Sequence, residues 1–178
     1  MLTVDPRTSM LVVIDFQTRL TPVIDGAASV VANARRLLDA ATLLGVPALF
    51  TEQNPKGLGP TVAELAPDPP SIVVRKMTFD CCRSPEFMLR VPADRAVVVA
   101  GCEAHVCVLQ TALGLIDRGR RVFVVRDAIG SRRRESKEAA IARMARHGVE
   151  IVTAEMVVFE WLGTAEHPRF KEAAALIK

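Results

Sequence analysis

Ala96-Val97-Val98-Val99-Ala100-Gly101-Cys102-Glu103-Ala104-His105-Val106-Cys107-Val108-Leu109-Gln110-Thr111-Ala112 is the stretch on which the fold turns. Its first five residues are continuously apolar, without the alternation of a half-exposed strand. Such a run reads as a parallel strand covered on both faces. From Val106 the pattern changes: Val106, Leu109, Leu113 and Ile116 recur at three- and four-residue spacing, the mark of an amphipathic helix. A buried strand followed at once by a helix is part of a βαβ unit, because parallel strands need a crossover to join them.

The same alternation extends in both directions. Buried strands are expected at 10–14, 47–50, 71–74, 96–100 and 121–125, with a weaker sixth at 150–152. Helices are expected at 28–44, 106–116, 135–145, 154–162 and 168–177, the third stopped by Gly148. This order predicts an α/β fold: a three-layer α/β/α doubly wound domain with a six-stranded parallel sheet. With 178 residues and no visible linker or repeat, one domain spanning 1–178 is expected.

Composition narrows the function classes. Half of the residues are hydrophobic, which excludes a disordered chain and allows a sizeable core. The net charge is only +3, with 18 Arg and 5 Lys spread among 20 acidic residues, and aromatic residues are scarce. That pattern argues against a nucleic-acid binder, which concentrates its charge on one face. The densest basic run, Arg132-Arg133-Arg134, is followed at once by Glu135 and Glu138 and reads as a solvated loop and helix start. No apolar run reaches the length of a membrane span, and Met1 to Ser9 lacks the order of a signal peptide. Four cysteines, two of them adjacent, do not make a disulfide framework, so a reducing cytoplasm is the expected compartment. There is no phosphate-binding glycine motif after the first strand, and no cofactor is expected.

Doubly wound sheets place their chemistry at the carboxyl ends of the strands. Asp15 follows the first strand; it reads either as a turn cap or as a partly desolvated carboxylate fit to move a proton. Lys76 ends the third strand in a chain that elsewhere prefers Arg, which hints at a need for a compact ammonium. Cys107 falls in the first turn of the helix after the fourth strand, where free N–H groups and the helix dipole favour a thiolate; a small buried hydrophobe is the other reading. Together they would bring a proton carrier, a cation and a nucleophile to one crevice. Phe16, Gln17, Gln53 and Phe79 are expected pocket walls, on strand-end position alone.

At these residues the chain resembles the isochorismatase-like cysteine hydrolases, in the branch of isochorismatase-domain-containing proteins. The carrying segments are Leu11 to Gln17, Glu52 to Gly59, Arg75 to Phe79, Val99 to Ala112 and Ser131-Arg132-Arg133, and the likeness runs along essentially the whole chain. The resemblance implies a catalytic Asp15, Lys76 and Cys107, a thioester intermediate, and an oxyanion held by the backbone N–H groups of Glu103 and Cys107. It also implies a cis peptide between Cys102 and Glu103, and assembly as a homo-oligomer, with the apolar stretch 156–162 as part of an interface or packed within the chain. The resemblance implies a small-molecule substrate, most often cleaved at an amide-type C–N bond. Nicotinamidases of this family hold a metal through an Asp-x-His pattern after the second strand. Thr51-Glu52-Gln53-Asn54 stands there instead, and the three histidines, 105, 147 and 167, lie elsewhere, so no catalytic metal is expected. His105 is expected in a packing or hydrogen-bonding role, Cys102 in the core, and Cys81 and Cys82 at the pocket mouth or exposed. A thiol-based redox or electrophile sensor built on Cys107 and its neighbours is the competing reading, and an inert interaction module a third.

Overall fold

The computed structural model describes residues 2–68 and 73–178. Six strands form one wholly parallel sheet in the order β3-β2-β1-β4-β5-β6. They are β1 (Ser9–Ile14), β2 (Ala48–Gln53), β3 (Val73–Lys76), β4 (Ala96–Cys102), β5 (Val122–Gly130) and β6 (Glu150–Val152). The first two positions expected for the third strand, 71 and 72, lie outside the described residues.

Strand side chains alternate between two separate cores, which is why apolar residues run on without a break. Leu11, Val13, Val98, Ala100 and Phe123 face one way; they meet α1 (Ala27–Leu44), α6 (Ala154–Leu162) and α7 (Phe170–Leu176). Met10, Val12, Ile14, Val97, Val99 and Val124 face the other. There they meet α3 (Pro85–Arg90), α4 (Leu109–Ile116) and α5 (Arg134–Arg146). A single turn, α2 (Pro55–Leu58), follows β2. Among the described residues, no helix is long and apolar enough to cross a membrane.

Three local features differ from the sequence reading. The helix expected from 106 begins as a π-helical turn over Ala104–Val108, in which the Val108 N–H reaches back to the Glu103 carbonyl at 3.2 Å, and only then becomes α4. Helix α3 was not expected, although Ser84 caps it and Pro85 opens it, a start signal legible in the sequence. Strand β5 continues well beyond 125, through the polar Arg126 and Asp127, because a register shift between Val99 and Gly101 lets Ile129 and Gly130 pair with the end of β4. Asp127 is used in that extension: its carboxylate accepts from the Ala154 N–H at 2.9 Å and starts α6.

The stretch 156–162 packs mostly inward. Val157, Val158, Trp161 and Leu162 are buried, and Trp161 donates to the Ser9 hydroxyl at 3.1 Å. Met156 and Phe159 stay about half exposed. The arginines are not one solvated cluster. Arg120 is buried and donates to the carbonyls of Val91, Pro92 and Arg95, and Arg118 donates to those of Gly114 and Cys82. Long side chains can carry their charge to backbone oxygens while the stems pack.

The sheet's strand order reverses direction at β1 and β4, and their carboxyl ends approach closely. A Cβ on Gly101 would stand 2.6 Å from both the Cβ and the carbonyl oxygen of Ile14. Only glycine lets β4 lie this near the residue that precedes Asp15. Gly101→Ala is therefore expected to destabilise the fold by about 1–3 kcal/mol through overpacking. Thermal unfolding measures this; an unchanged Tm would show that the two strands part there freely.

Candidate active site

Asp15 leaves β1 with φ of 53°, a left-handed conformation that Asp tolerates better than most residues. Its backbone N–H still bonds the Thr51 carbonyl at 3.1 Å. Its carboxylate points into the end of the sheet and is fully buried. One oxygen, Oδ2, lies 2.7 Å from Lys76 Nζ, and the other, Oδ1, accepts from the Thr51 hydroxyl at 2.6 Å. Lys76, the last residue of β3, is buried too, and its ammonium also donates to the Thr78 carbonyl at 3.2 Å.

Cys107 projects from the π-helical turn toward the same carboxylate. Burial raises its thiol above the ordinary range. The charge of Asp15 and a hydrogen bond to it add to the rise, while Lys76 opposes it. The Cys107 thiol thus lies beside a carboxylate, in surroundings that favour its protonated form, where the helix start had pointed toward a thiolate. Burial also works against the Lys76 ammonium, but Asp15 at 2.7 Å favours it, and that group's pKa is raised.

Cys81 and Cys82 are buried, not exposed at the pocket mouth. Cys81 sits behind Thr51, with Sγ 3.9 Å from its hydroxyl, and burial pushes its thiol up to about 12. Its N–H donates to the Thr111 hydroxyl at 3.0 Å, which ties this turn to α4. Cys82 is likewise raised, chiefly by burial, and packs against α4. Cys102 lies in the core on the α1 side, and the Cys102–Glu103 peptide that follows it is cis.

A cavity of about 240 Å³ opens over Asp15 and Cys107. Leu20, Leu58, Phe79 and Val106 form its apolar walls, and Gln53, Glu103 and Arg132 its polar rim. Larger grooves exist, up to about 590 Å³ against α6, but they bring together no carboxylate, ammonium and thiol. Of the expected walls, Gln53 and Phe79 line the cavity and Phe16 and Gln17 do not. Phe16 points into the core on the α1 side. Gln17 is buried, and its amide clamps the loop after β2: it donates to the carbonyls of Gln53 (3.0 Å) and Gly59 (2.7 Å) and accepts from the Gln53 N–H (2.9 Å). Position after a strand does not reveal which way the backbone turns next.

The sequence reading missed Thr51, Leu20, Leu58, Val106 and Arg132 as parts of the site. Thr51 reaches the site because β1 and β2 pair in register with Ile14 opposite Thr51. Arg132 is exposed, as its loop was expected to be, and it also donates to Glu103 at the cavity rim through its N–H (3.1 Å) and Nε (3.0 Å). His105 faces Ser131, Nδ1 to Oγ at 2.9 Å. Among the described residues, no three His, Cys, Asp or Glu side chains are grouped as a metal site.

Comparison with known proteins places the chain in a family. The isochorismatase domain family matches residues 9–156. Isochorismatase domain-containing protein 1 of Danio rerio is 40% identical over 176 residues, covering 97% of this chain and 62% of that protein, so the chain spans less than two thirds of that relative. Isochorismatase domain-containing protein 2 of Bos taurus is 40% identical over 177 residues, covering 97% of this chain and 84% of that one. The solved structure of MAR1 ribonuclease from Caenorhabditis elegans superposes with a TM-score of 0.89 at 36% identity, over 98% of this chain and 92% of that one. The YcaC gene product of Escherichia coli, described as an octameric hydrolase of unknown specificity, shares the fold at 23% identity and a TM-score of 0.92, over 99% of this chain and 90% of its own. On the family match over residues 9–156 and the likeness to these relatives along 97% of this chain, the chain belongs to the isochorismatase-like family.

Proposed function

We propose that this protein is a metal-independent cysteine hydrolase that opens a small amide-type or related carbonyl compound through a thioester on Cys107. The observation that carries the reading is one carboxylate serving two partners: Asp15 is ion-paired with Lys76 at 2.7 Å and faces the Cys107 thiol in the floor of one cavity.

The chemistry follows from that placement. Asp15 takes the thiol proton as the sulfur attacks the carbonyl carbon, and the carbonyl π pair moves onto oxygen. Backbone N–H groups of Glu103 and Cys107 hold the oxyanion. When the C–N bond breaks, the leaving nitrogen takes the proton from Asp15, and the acyl group stays on sulfur. Water then gives a proton to Asp15 and attacks the thioester; the acid departs, and the sulfur recovers its proton. Lys76 keeps Asp15 oriented and balances the sulfur's negative charge between these steps. Thr51 holds the other Asp15 oxygen, so the carboxylate cannot rotate away.

The ribonuclease description of the C. elegans structure supplies a second reading. We favour the carbonyl reaction because a thiol is suited to carbonyl carbon, and because His105 faces Ser131 rather than the cavity floor. Assembly with further copies of the chain remains part of our reading, with the half-exposed Met156 and Phe159 of α6 as a candidate contact. Light scattering is expected to give a mass of at least a dimer; a monomer at micromolar concentration removes this element.

A panel of small amides, carbamoyl compounds and an RNA oligonucleotide tests the reaction. Turnover of a carbonyl substrate is expected, with an acyl mass added to Cys107, and Cys107→Ala is expected to lower kcat by at least about a thousandfold. RNA cleavage that survives Cys107→Ala would overturn the proposal. The pH dependence of Cys107 alkylation is a separate check. Its midpoint is expected above that of a free thiol, because burial and Asp15 both favour the protonated form. Asp15→Asn is expected to lower the midpoint and Lys76→Met to raise it; shifts in the opposite directions would contradict the arrangement.

A further inference from the structure

The charges around the cavity cancel in pairs. Asp15 is held by Lys76, and Glu103 by Arg132, whose N–H and Nε both reach Glu103 Oε1. The two members of the rim pair differ in exposure: the Glu103 side chain is 8% exposed and that of Arg132 60%. The carboxylate is thus set into the wall, with the guanidinium lying over it. Among the described residues lining the cavity there is no other charged side chain. Gln53 directs its amide N–H at the Met77 carbonyl, 3.2 Å away. Leu20, Leu58, Phe79 and Val106 make up the rest of the wall.

We propose that the cavity selects a small neutral acyl compound with an apolar body, and that Glu103 enforces this choice by occupying the arginine that would otherwise receive an anionic substrate. The proposal rests on the cysteine-hydrolase reading and names its substrate class. An anionic group entering beside Arg132 would compete with Glu103, and a displaced Glu103 would be left unpaired in the wall. A neutral acyl compound enters without that exchange and without giving up the hydration of an ion. Glu103 and Arg132 are then specificity-determining residues, in addition to the backbone role proposed for Glu103.

Two alkylating reagents of the same reach but different charge test this on the intact protein. Iodoacetamide is neutral and iodoacetate anionic. With either, a bond forms between Cys107 Sγ and the methylene carbon, iodide leaves, and the thiol proton passes to Asp15 or to solvent. The readout is the ratio of the two rates at Cys107, followed by mass spectrometry and divided by the same ratio for a free small thiol. In the wild type this ratio is expected to favour iodoacetamide by roughly tenfold. Glu103→Gln is expected to reduce it about tenfold by releasing the arginine's charge. Arg132→Gln is expected to raise it or leave it unchanged, and the double variant to return it near the wild-type value. A wild-type preference for iodoacetate overturns the proposal, whatever the variants do. So does a ratio that Glu103→Gln leaves unchanged in a folded protein. If both reagents label another cysteine and spare Cys107, the nucleophile assignment itself fails and the substrate class falls with it. A labelled Cys107 with iodoacetate preferred removes only the substrate class.

Discussion

Asp15 and Lys76 share a site from which water is almost excluded, and the carboxyl-end architecture is arranged around keeping them together. A buried ion pair is a weak source of stability, because the desolvation of two charges offsets their attraction. Removing one partner is another matter: a lone buried charge costs about 3–5 kcal/mol. The pair therefore ties the carboxyl end of β1 to that of β3, although β2 lies between them and β3 runs past the level of Ile14 to reach Lys76. Thr51, on that intervening strand, fills the gap with a hydroxyl that satisfies the second Asp15 oxygen. The Thr78 carbonyl gives the ammonium a further acceptor just beyond β3. A cluster this costly to break and this modest in stabilising value makes chemical sense as a site that handles a proton.

The remaining elements hold that cluster beside the Cys107 thiol. Gly101 lets β4 close against β1, and the π-helical turn after it aims Cys107 back at Asp15. Gln17 clamps the loop after β2, which brings Gln53 and Leu58 to the cavity. Asp80 caps the turn at Cys82 and approaches α4 at Gly114, where a Cβ would come within 2.9 Å of its carboxylate oxygen. Cys81 is thereby packed behind Thr51, and its thiol is kept protonated by burial. Burial favours the protonated form of Cys107 as well.

Much of this was legible along the chain. Apolar runs such as Val97 to Ala100 can only be strands with both faces covered, and three-four spacing in 28–44 can only be a helix lying against them. Asp15, Lys76 and Cys107 each follow or end such a run, so the doubly wound order alone sends them toward one edge. Legibility ended where a residue's role depends on direction rather than position. Phe16 and Gln17 follow Asp15 directly, yet the left-handed turn at Asp15 sends one into the core and the other into a backbone clamp. Arg126 and Asp127 looked like the end of β5, but pairing with β4 carries the strand past them. Arg132 is solvated as its loop suggests, but its partner Glu103, 29 residues away, could not be read from the chain.

By itself, then, the sequence determined the class of fold, the order of its elements and the three residue types placed at the strand ends, because periodicity and burial are local properties of a chain. Tertiary structure decided which charges neutralise which. It set Thr51 rather than another polar residue on Asp15, and Glu103 on Arg132. It also buried Cys107 beside Asp15, which favours the thiol where the helix start had pointed toward a thiolate. The physical reason is that desolvation and Coulomb energy depend on distances across the sheet, and residues far apart in the chain set those distances only when the strands come into register.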